Sequence, residues 1–188
     1  MGRWQPDAAD RLQQAAFELY AERGYEQTTV AEIAERAGLT ERTFFRHFAD
    51  KREVLFAGSG ELQKLIVDAA DSAPPSATPM EAITVGLAAA GAIFDPRRRP
   101  YSRQRQSVID ANPELQEREL VKLASLAAAL ADALRRRAVQ DPAAGLTAEA
   151  GVAVFRVAFE HWLRDGSDQD FAQFVHKGIA ELRTVTAD

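Results

Sequence analysis

Apolar residues recur at three- and four-residue intervals along nearly the whole chain, and no stretch alternates apolar with polar as a half-buried strand would. That periodicity restricts the fold to an all-α architecture, and glycine, proline and capping residues cut it into about nine helices. The first follows Pro6, which suits a first-turn position, and has Leu12, Ala15, Ala16, Leu19 and Tyr20 as its inner stripe. Gly24 is placed to end it in a left-handed cap. Thr29-Val30-Ala31-Glu32 reads as a capping box, in which hydroxyl and carboxylate satisfy each other's orphan amides. The helix it opens turns Ile33 and Ala37 inward and stops at Gly38; Leu39 plugs the corner, and Thr40 caps a short third helix through Phe48. A fourth helix is predicted over 51–70, with Leu55, Leu62, Leu65 and Ile66 as its buried stripe and Gly58 and Gly60 weakening its interior. After the Pro- and Ser-containing break at 72–77, Thr78-Pro79-Met80-Glu81 combines a capping box with a first-turn proline and starts a helix reaching Phe94. Asp95-Pro96 ends it. Helical character resumes near Ser102, breaks before Pro113, and continues over 114–139, 147–163 and 168–185.

With 188 residues, 46% hydrophobic and 27% charged, the chain has enough apolar material for an ordered core. Its formal net charge of -5 argues against indiscriminate coating of nucleic acid, so any DNA contact must come from a local positive face. The absence of cysteine excludes disulfides, zinc ribbons and thiol catalysis. Residues 1–10 carry no apolar signal core, and Met1-Gly2 opens like a myristoylation signal but has Pro6 where Ser or Thr is required. The charge-free apolar run 82–94 is too short to span a bilayer and reads as a buried helix. A soluble, cytoplasmic protein without a membrane partner is expected. Enzymatic signals are weak. Gly58-Ser59-Gly60 does not follow a strand, Gly86 and Gly91 lack the Lys-Ser/Thr of a phosphate loop, and His47, His161 and His176 show no metal spacing. His161 and His176 read as structural. No catalytic residue, metal or cofactor is assigned.

The informative stretch is 28–51, TTVAEIAERAGLTERTFFRHFADK: a helix, a glycine turn and a second helix. At 100° per residue, Arg42, Thr43, Arg46 and His47 share one face of the second helix, Phe44 and Phe48 point the opposite way, and Phe45 lies at the border beside Arg42. A cationic, donor-rich front on a greasy back is what a helix reading the major groove requires. Arginine forks onto guanine O6 and N7, and a threonine methyl touches the thymine methyl. Thr28 opens the stretch, Thr29 and Thr40 stand at helix N-termini that favour phosphate, and Lys51 is placed to clamp another phosphate. The candidate DNA contacts are therefore Thr28, Thr29, Thr40, Arg42, Thr43, Phe45, Arg46, His47 and Lys51.

Residues 10–56 resemble the TetR-family DNA-binding domain. Gly24-Tyr25, Thr28-Thr29-Val30, Ile33-Ala34, Ala37-Gly38-Leu39, and Thr43-Phe44-Phe45 through Phe48 and Lys51 all fall at family positions. The chain departs from the family at Phe45, where tyrosine is usual and its phenol commonly bonds a phosphate, and at Arg42, where Gly or Lys is frequent. The resemblance implies a DNA-binding domain over 1–50 and a ligand-binding and dimerisation domain over 51–188. It also implies homodimerisation through the last two helices, for which Phe155, Phe159, Trp162, Phe171, Phe174 and Val175 are the candidate contacts, their alternative being ordinary core. An effector pocket is expected near Phe94, Tyr101, Arg103, Val108 and Leu126. The basic run Arg97-Arg98-Arg99 with Arg103 and Arg105 is either a solvated surface or an attractor for an acidic ligand. The function expected is that of a ligand-released repressor acting as a homodimer on a near-palindromic operator, with a small molecule as effector. The rival readings are an all-helical carrier or enzyme with a vestigial head, and an activator of the same family.

Overall fold

A computed structural model describes residues 7–187, and every regular element among them is helical. The α-helices are α1 Ala8–Arg23, α2 Val30–Arg36, α3 Glu41–His47, α4 Ser59–Asp71, α5 Pro79–Ala89, α6 Arg99–Asp110, α7 Pro113–Arg136, α8 Ala143–Arg164 and α9 Phe171–Thr186. Short 3-10 turns at Ala90–Ala92 and Pro96–Arg98 bridge α5 to α6. The chain forms two compact units. One takes in the described residues up to Ala57 together with Gln104–Glu119; the other takes in Gly58–Arg103 and everything described from Leu120 on. Residues 51–57 thus belong with α1–α3.

In the first unit, the Asp7 carboxylate caps α1 by accepting from the Asp10 amide at 2.9 Å; the first-turn proline expected at Pro6 lies outside the described residues. Leu12, Ala15, Ala16, Leu19 and Tyr20 are all buried, as the stripe predicts, and α1 packs on α2 and α3, whose Ile33, Ala34 and Phe44 are buried too. Gly24 does end α1, but with φ 88° and ψ 161° it sits outside the left-handed helical well, in a region that only glycine occupies readily. Gly38 is the left-handed residue, at φ 65°; it lets the Leu39 amide return to the Ala34 carbonyl at 2.8 Å and close α2. Arg11 reaches across from α1 and donates to the Ala37 carbonyl, a second cap on the same helix end.

The predicted 51–70 helix is two pieces. Residues 51–58 form a succession of tight turns, with amides of Leu55 and Phe56 bonded to carbonyls three residues back, and α4 begins only at Ser59. Gly58, at φ 80°, is the break, so the weakness expected of the glycines becomes an interruption. The turns bury Val54, Leu55 and Phe56 in the first unit. There Arg105 donates to the Leu55 carbonyl at 2.6 Å and stacks over Phe56, while Arg118 pairs with Glu53 at 2.5 Å.

In the second unit, close approach between helices rests on small residues. A Cβ on Gly86 of α5 would stand 2.6 Å from the Ile66 carbonyl oxygen of α4, and one on Gly151 of α8 would stand 2.5 Å from Ile83. Around these contacts lie Ile66, Ile83, Leu87, Leu130, Leu134, Trp162, Phe171 and Val175, all fully or nearly fully buried. The Thr78–Glu81 capping box forms as expected, with the Thr78 amide donating to the Glu81 carboxylate at 2.8 Å. At the end of α7, Arg137 ties down the α4–α5 connection by donating to the carbonyls of Asp71, Ala73 and Pro74. No helix among the described residues is long and apolar enough to cross a membrane.

Both capping-box carboxylates are held below the ordinary glutamate value of 4.5, Glu32 by the Thr29 amide and hydroxyl and then by Arg23, Glu81 by the Thr78 amide and hydroxyl. A carboxylate depressed on folding contributes stability that is complete above the unfolded value and is lost as pH falls through the folded one. The melting temperature should therefore drop as pH is lowered from 6 through about 4.5 toward 3. Glu32→Gln/Glu81→Gln, which keeps the boxes but not the charges, should flatten that drop in a thermal melt followed by circular dichroism.

Candidate nucleic-acid interface

Phe44 and Phe48 anchor α3 from below, and their burial leaves Arg42, Phe45, Arg46 and His47 exposed, as the helical wheel predicts. Thr40 caps the helix, accepting from the Thr43 amide at 3.2 Å, and its hydroxyl also meets that of half-buried Thr43 at 3.0 Å. The Phe45 ring stands edge-on to Phe44, with centroids 5.5 Å apart and planes 80° apart.

The charges around α3 are unevenly spent. Arg36 forks onto Glu22 with two 2.8 Å bonds, and Arg23 pairs with Glu32 at 2.8 Å. Arg52 grips Asp50 at 2.6 Å. Burial alone would raise the Asp50 carboxyl, but the bonds from Arg52 and from the Glu53 and Arg52 amides outweigh it and hold it below its usual range. Arg11, Arg105 and Arg118 are engaged as described above. Among the described cations of this unit, Arg42 and Arg46 alone have neither a carboxylate nor a carbonyl partner; Arg46 has only the His47 ring at 3.4 Å. Within this unit, the local positive face is the outer surface of α3.

Other candidates are placed differently from the sequence expectation. Thr28 is buried and donates its hydroxyl to the Gly24 carbonyl at 2.9 Å, leaving it no surface for a phosphate. The Thr29 amide and hydroxyl are both bound to Glu32, so the capping box occupies the groups expected to face an anion. Lys51 is not a free clamp. Its ammonium donates to the carbonyls of Tyr25, Glu26 and Thr28 at 3.0–3.3 Å and lies 4.2 Å from the centre of the Tyr25 ring. It locks the α1–α2 connection, on which the position of α2 depends.

The residues expected at the dimer contact lie mostly inside the chain's own core. Trp162, Phe171, Phe155, Phe174 and Val175 are buried within the chain's own core, and Phe159 is half-buried. They pack around Phe94, whose ring lies 4.8 Å from Phe171, 5.0 Å from Phe159 and 5.6 Å from Trp162. Of the five ligand candidates, Phe94, Tyr101, Arg103 and Leu126 fall in the second unit and Val108 in the first. Arg103 donates to the carbonyls of Leu163 and Asp165, and Arg99, only 5% exposed, donates to those of Asp165, Ser167 and Gln169. Arg97 pairs with Asp95. The basic run is thus spent largely on the α8 terminus and the loop after it. Sequence reasoning missed this role, because an arginine that caps a helix some sixty residues away leaves no local pattern. His161 and His176 are exposed rather than built into the core.

A helix, a glycine turn and a short second helix with a cationic front and a phenyl back define a helix-turn-helix DNA-binding regulator. Residues 12–57 match the family model described as bacterial regulatory proteins, tetR family, and residues 77–187 match that of the MftR C-terminal domain. The chain belongs to the TetR family of transcriptional regulators. It is 28% identical over 170 residues to a mycofactocin biosynthesis transcriptional regulator, MftR, of Mycobacterium tuberculosis, covering 89% of this chain and 85% of the relative. To the HTH-type transcriptional regulator TcmR of Streptomyces glaucescens it is 39% identical over 75 residues, which cover 40% of this chain and only 33% of the relative. Among solved structures, a transcriptional regulator of Pseudomonas aeruginosa superposes with TM-score 0.65 at 18% identity, covering 94% of this chain and 89% of the other. FadR of Bacillus subtilis in complex with stearoyl-CoA superposes with TM-score 0.59 at 17% identity, covering 92% and 96%. These two share the fold.

Since Lys51 acts on its own chain, Lys51→Ala should lower unfolding stability by about 1.5–3 kcal/mol in urea, the range for hydrogen bonds to a charged group. Arg42→Ala, at an exposed and unpaired position, should stay within about 0.5 kcal/mol of the parent.

Proposed function

We propose that the protein is a homodimeric repressor that holds a near-palindromic operator through α3 of each copy and releases it when a small molecule occupies the body. The observation that carries this reading is the solitary status of Arg42 and Arg46 on the outer face of α3, where every other described cation of that unit is engaged within the fold. An unneutralised guanidinium pair, flanked by His47 and backed by buried phenyl rings, suits guanine edges and phosphates. The same observation weighs against a vestigial head on a carrier or an enzyme, which would have no reason to keep these charges unspent.

Dimerisation is assigned to the outward stripe of α8. Leu146, Ala153 and Val157 lie at spacings of seven and four residues and are exposed, Leu146 at 68% and Val157 at 44%. Such a seam, set on rigid helices, favours packing against its own symmetry mate. Two reading helices would then stand about 34–36 Å apart, one turn of DNA. An effector would act by favouring a different spacing, and moving occupancy from 99:1 to 1:99 takes about 5.5 kcal/mol of differential affinity. Two buried donors in the body, Arg99 Nε and Trp162 Nε1, have no protein acceptor. The complexes of FadR proteins with stearoyl-CoA and lauroyl-CoA lend support to a small-molecule effector for this fold.

Mobility shifts on the DNA upstream of the protein's own gene test the reading. Arg42→Ala should cost about 1–3 kcal/mol of binding and relax base preference at one position of each half-site. Equal losses on random and upstream DNA would remove α3 from base reading. Val157→Glu should move the protein from dimer to monomer in sedimentation and weaken operator binding with it; an unchanged dimer would place the interface elsewhere.

A further inference from the structure

The side chain on α3 that the charge argument leaves unexplained is Phe45. It is 56% exposed, the only aromatic among the exposed large apolar side chains described, and it stands beside Arg42, one turn earlier, and Arg46. A lone exposed apolar residue needs no explanation on an ordinary surface. Here it occupies the one surface that the charges mark for DNA, and its ring is steadied against buried Phe44. A phenyl ring offers no donor to a phosphate and no partner to a carbonyl or amino group on a base edge. Pressing it against those groups would strip their water with nothing in return. The major groove presents one apolar group, the C5-methyl of thymine.

We propose that Phe45 reads a thymine in each half-site through its C5-methyl, making this residue a determinant of operator sequence. The inference rests on the DNA-binding reading of α3 and adds the base that α3 selects. The competing contact for the ring is the deoxyribose of the backbone, which carries no sequence information and is the same in every nucleotide.

Replacing thymine by uracil separates the two, because it removes the methyl and keeps the pairing, the phosphates and every hydrogen-bonding group. The upstream fragment is amplified once with dTTP and once with dUTP, and the full-length protein is titrated against both. Wild type should bind the thymine fragment roughly fourfold more tightly for one contacted methyl and roughly fifteenfold for one in each half-site, from the transfer free energy of a single buried methylene-sized group. Phe45→Ala should bring the ratio to about one, and Phe45→Leu, which keeps an apolar contact, should retain part of it. Arg42→Ala should bind more weakly yet keep the thymine preference. Circular dichroism checks that each variant folds, as the exposure of both positions favours. Equal binding of wild type to the two fragments overturns the proposal. So does a preference that survives Phe45→Ala, which would assign the methyl to another side chain, or an equal loss of Phe45→Ala on both fragments, which would place the ring on sugar. Failure of the wild type to bind the thymine fragment at low salt would strike at the DNA-binding reading itself and overturn both.

Discussion

Everything α3 presents depends on the burial of Phe44 and Phe48 beneath it. The helix has seven residues, too few to be stable alone, and its two phenyl anchors hold it to α1 and α2. Fixing two positions on so short a helix fixes its rotation, and the rotation decides which side chains face outward. The cap by Thr40, the left-handed turn at Gly38 and the Arg11 bond to the end of α2 then set where the helix starts and how it leaves its neighbour. Lys51 completes the arrangement from the other side by holding the α1–α2 connection through three carbonyls.

Arginine does much of the structural work elsewhere in the chain, on backbone carbonyls as well as on acids. Arg99 and Arg103 satisfy the end of α8 and the loop beyond it, Arg137 the connection after α4, Arg105 the carbonyl of Leu55 and Arg11 the end of α2. The last carbonyls of a helix lack partners within it, and a guanidinium supplies several donors in one plane. An arginine-rich chain that is acidic overall can therefore leave very little positive surface. In the first unit, the free guanidinium groups of α3 stand out because the other described cations there are engaged.

The sequence made the helical class, the capping boxes at Thr29 and Thr78, the Gly38 turn and the in-and-out orientation of α3 legible, because each is fixed by residues within a few positions of one another. Boundaries were less so: α6 begins at Arg99 rather than near Ser102, since the Asp95-Pro96 pair starts a 3-10 turn that runs directly into the helix. What was illegible depends on distant partners. Lys51 carries the same charge whether it meets a phosphate or the carbonyl of Tyr25, and an aromatic stripe such as Phe155, Trp162 and Phe171 looks alike whether it closes a core or a dimer. Only the neighbours brought in by folding, Phe94 above all, distinguish the two.

The first unit is built from two separated stretches of chain, the described residues up to Ala57 and Gln104–Glu119. Ile109 and Leu115, both fully buried, and the guanidinium groups of Arg105 and Arg118 come from the second stretch. Cutting the gene after codon 57 would therefore strand the Leu55 carbonyl and the Glu53 carboxylate and bare the apolar turn formed by Val54, Leu55 and Phe56. In this protein the DNA-reading module is not a cassette. A chimaera that grafts it onto a foreign scaffold has to bring the α6–α7 corner along, and recombination between relatives is constrained to exchange both stretches together.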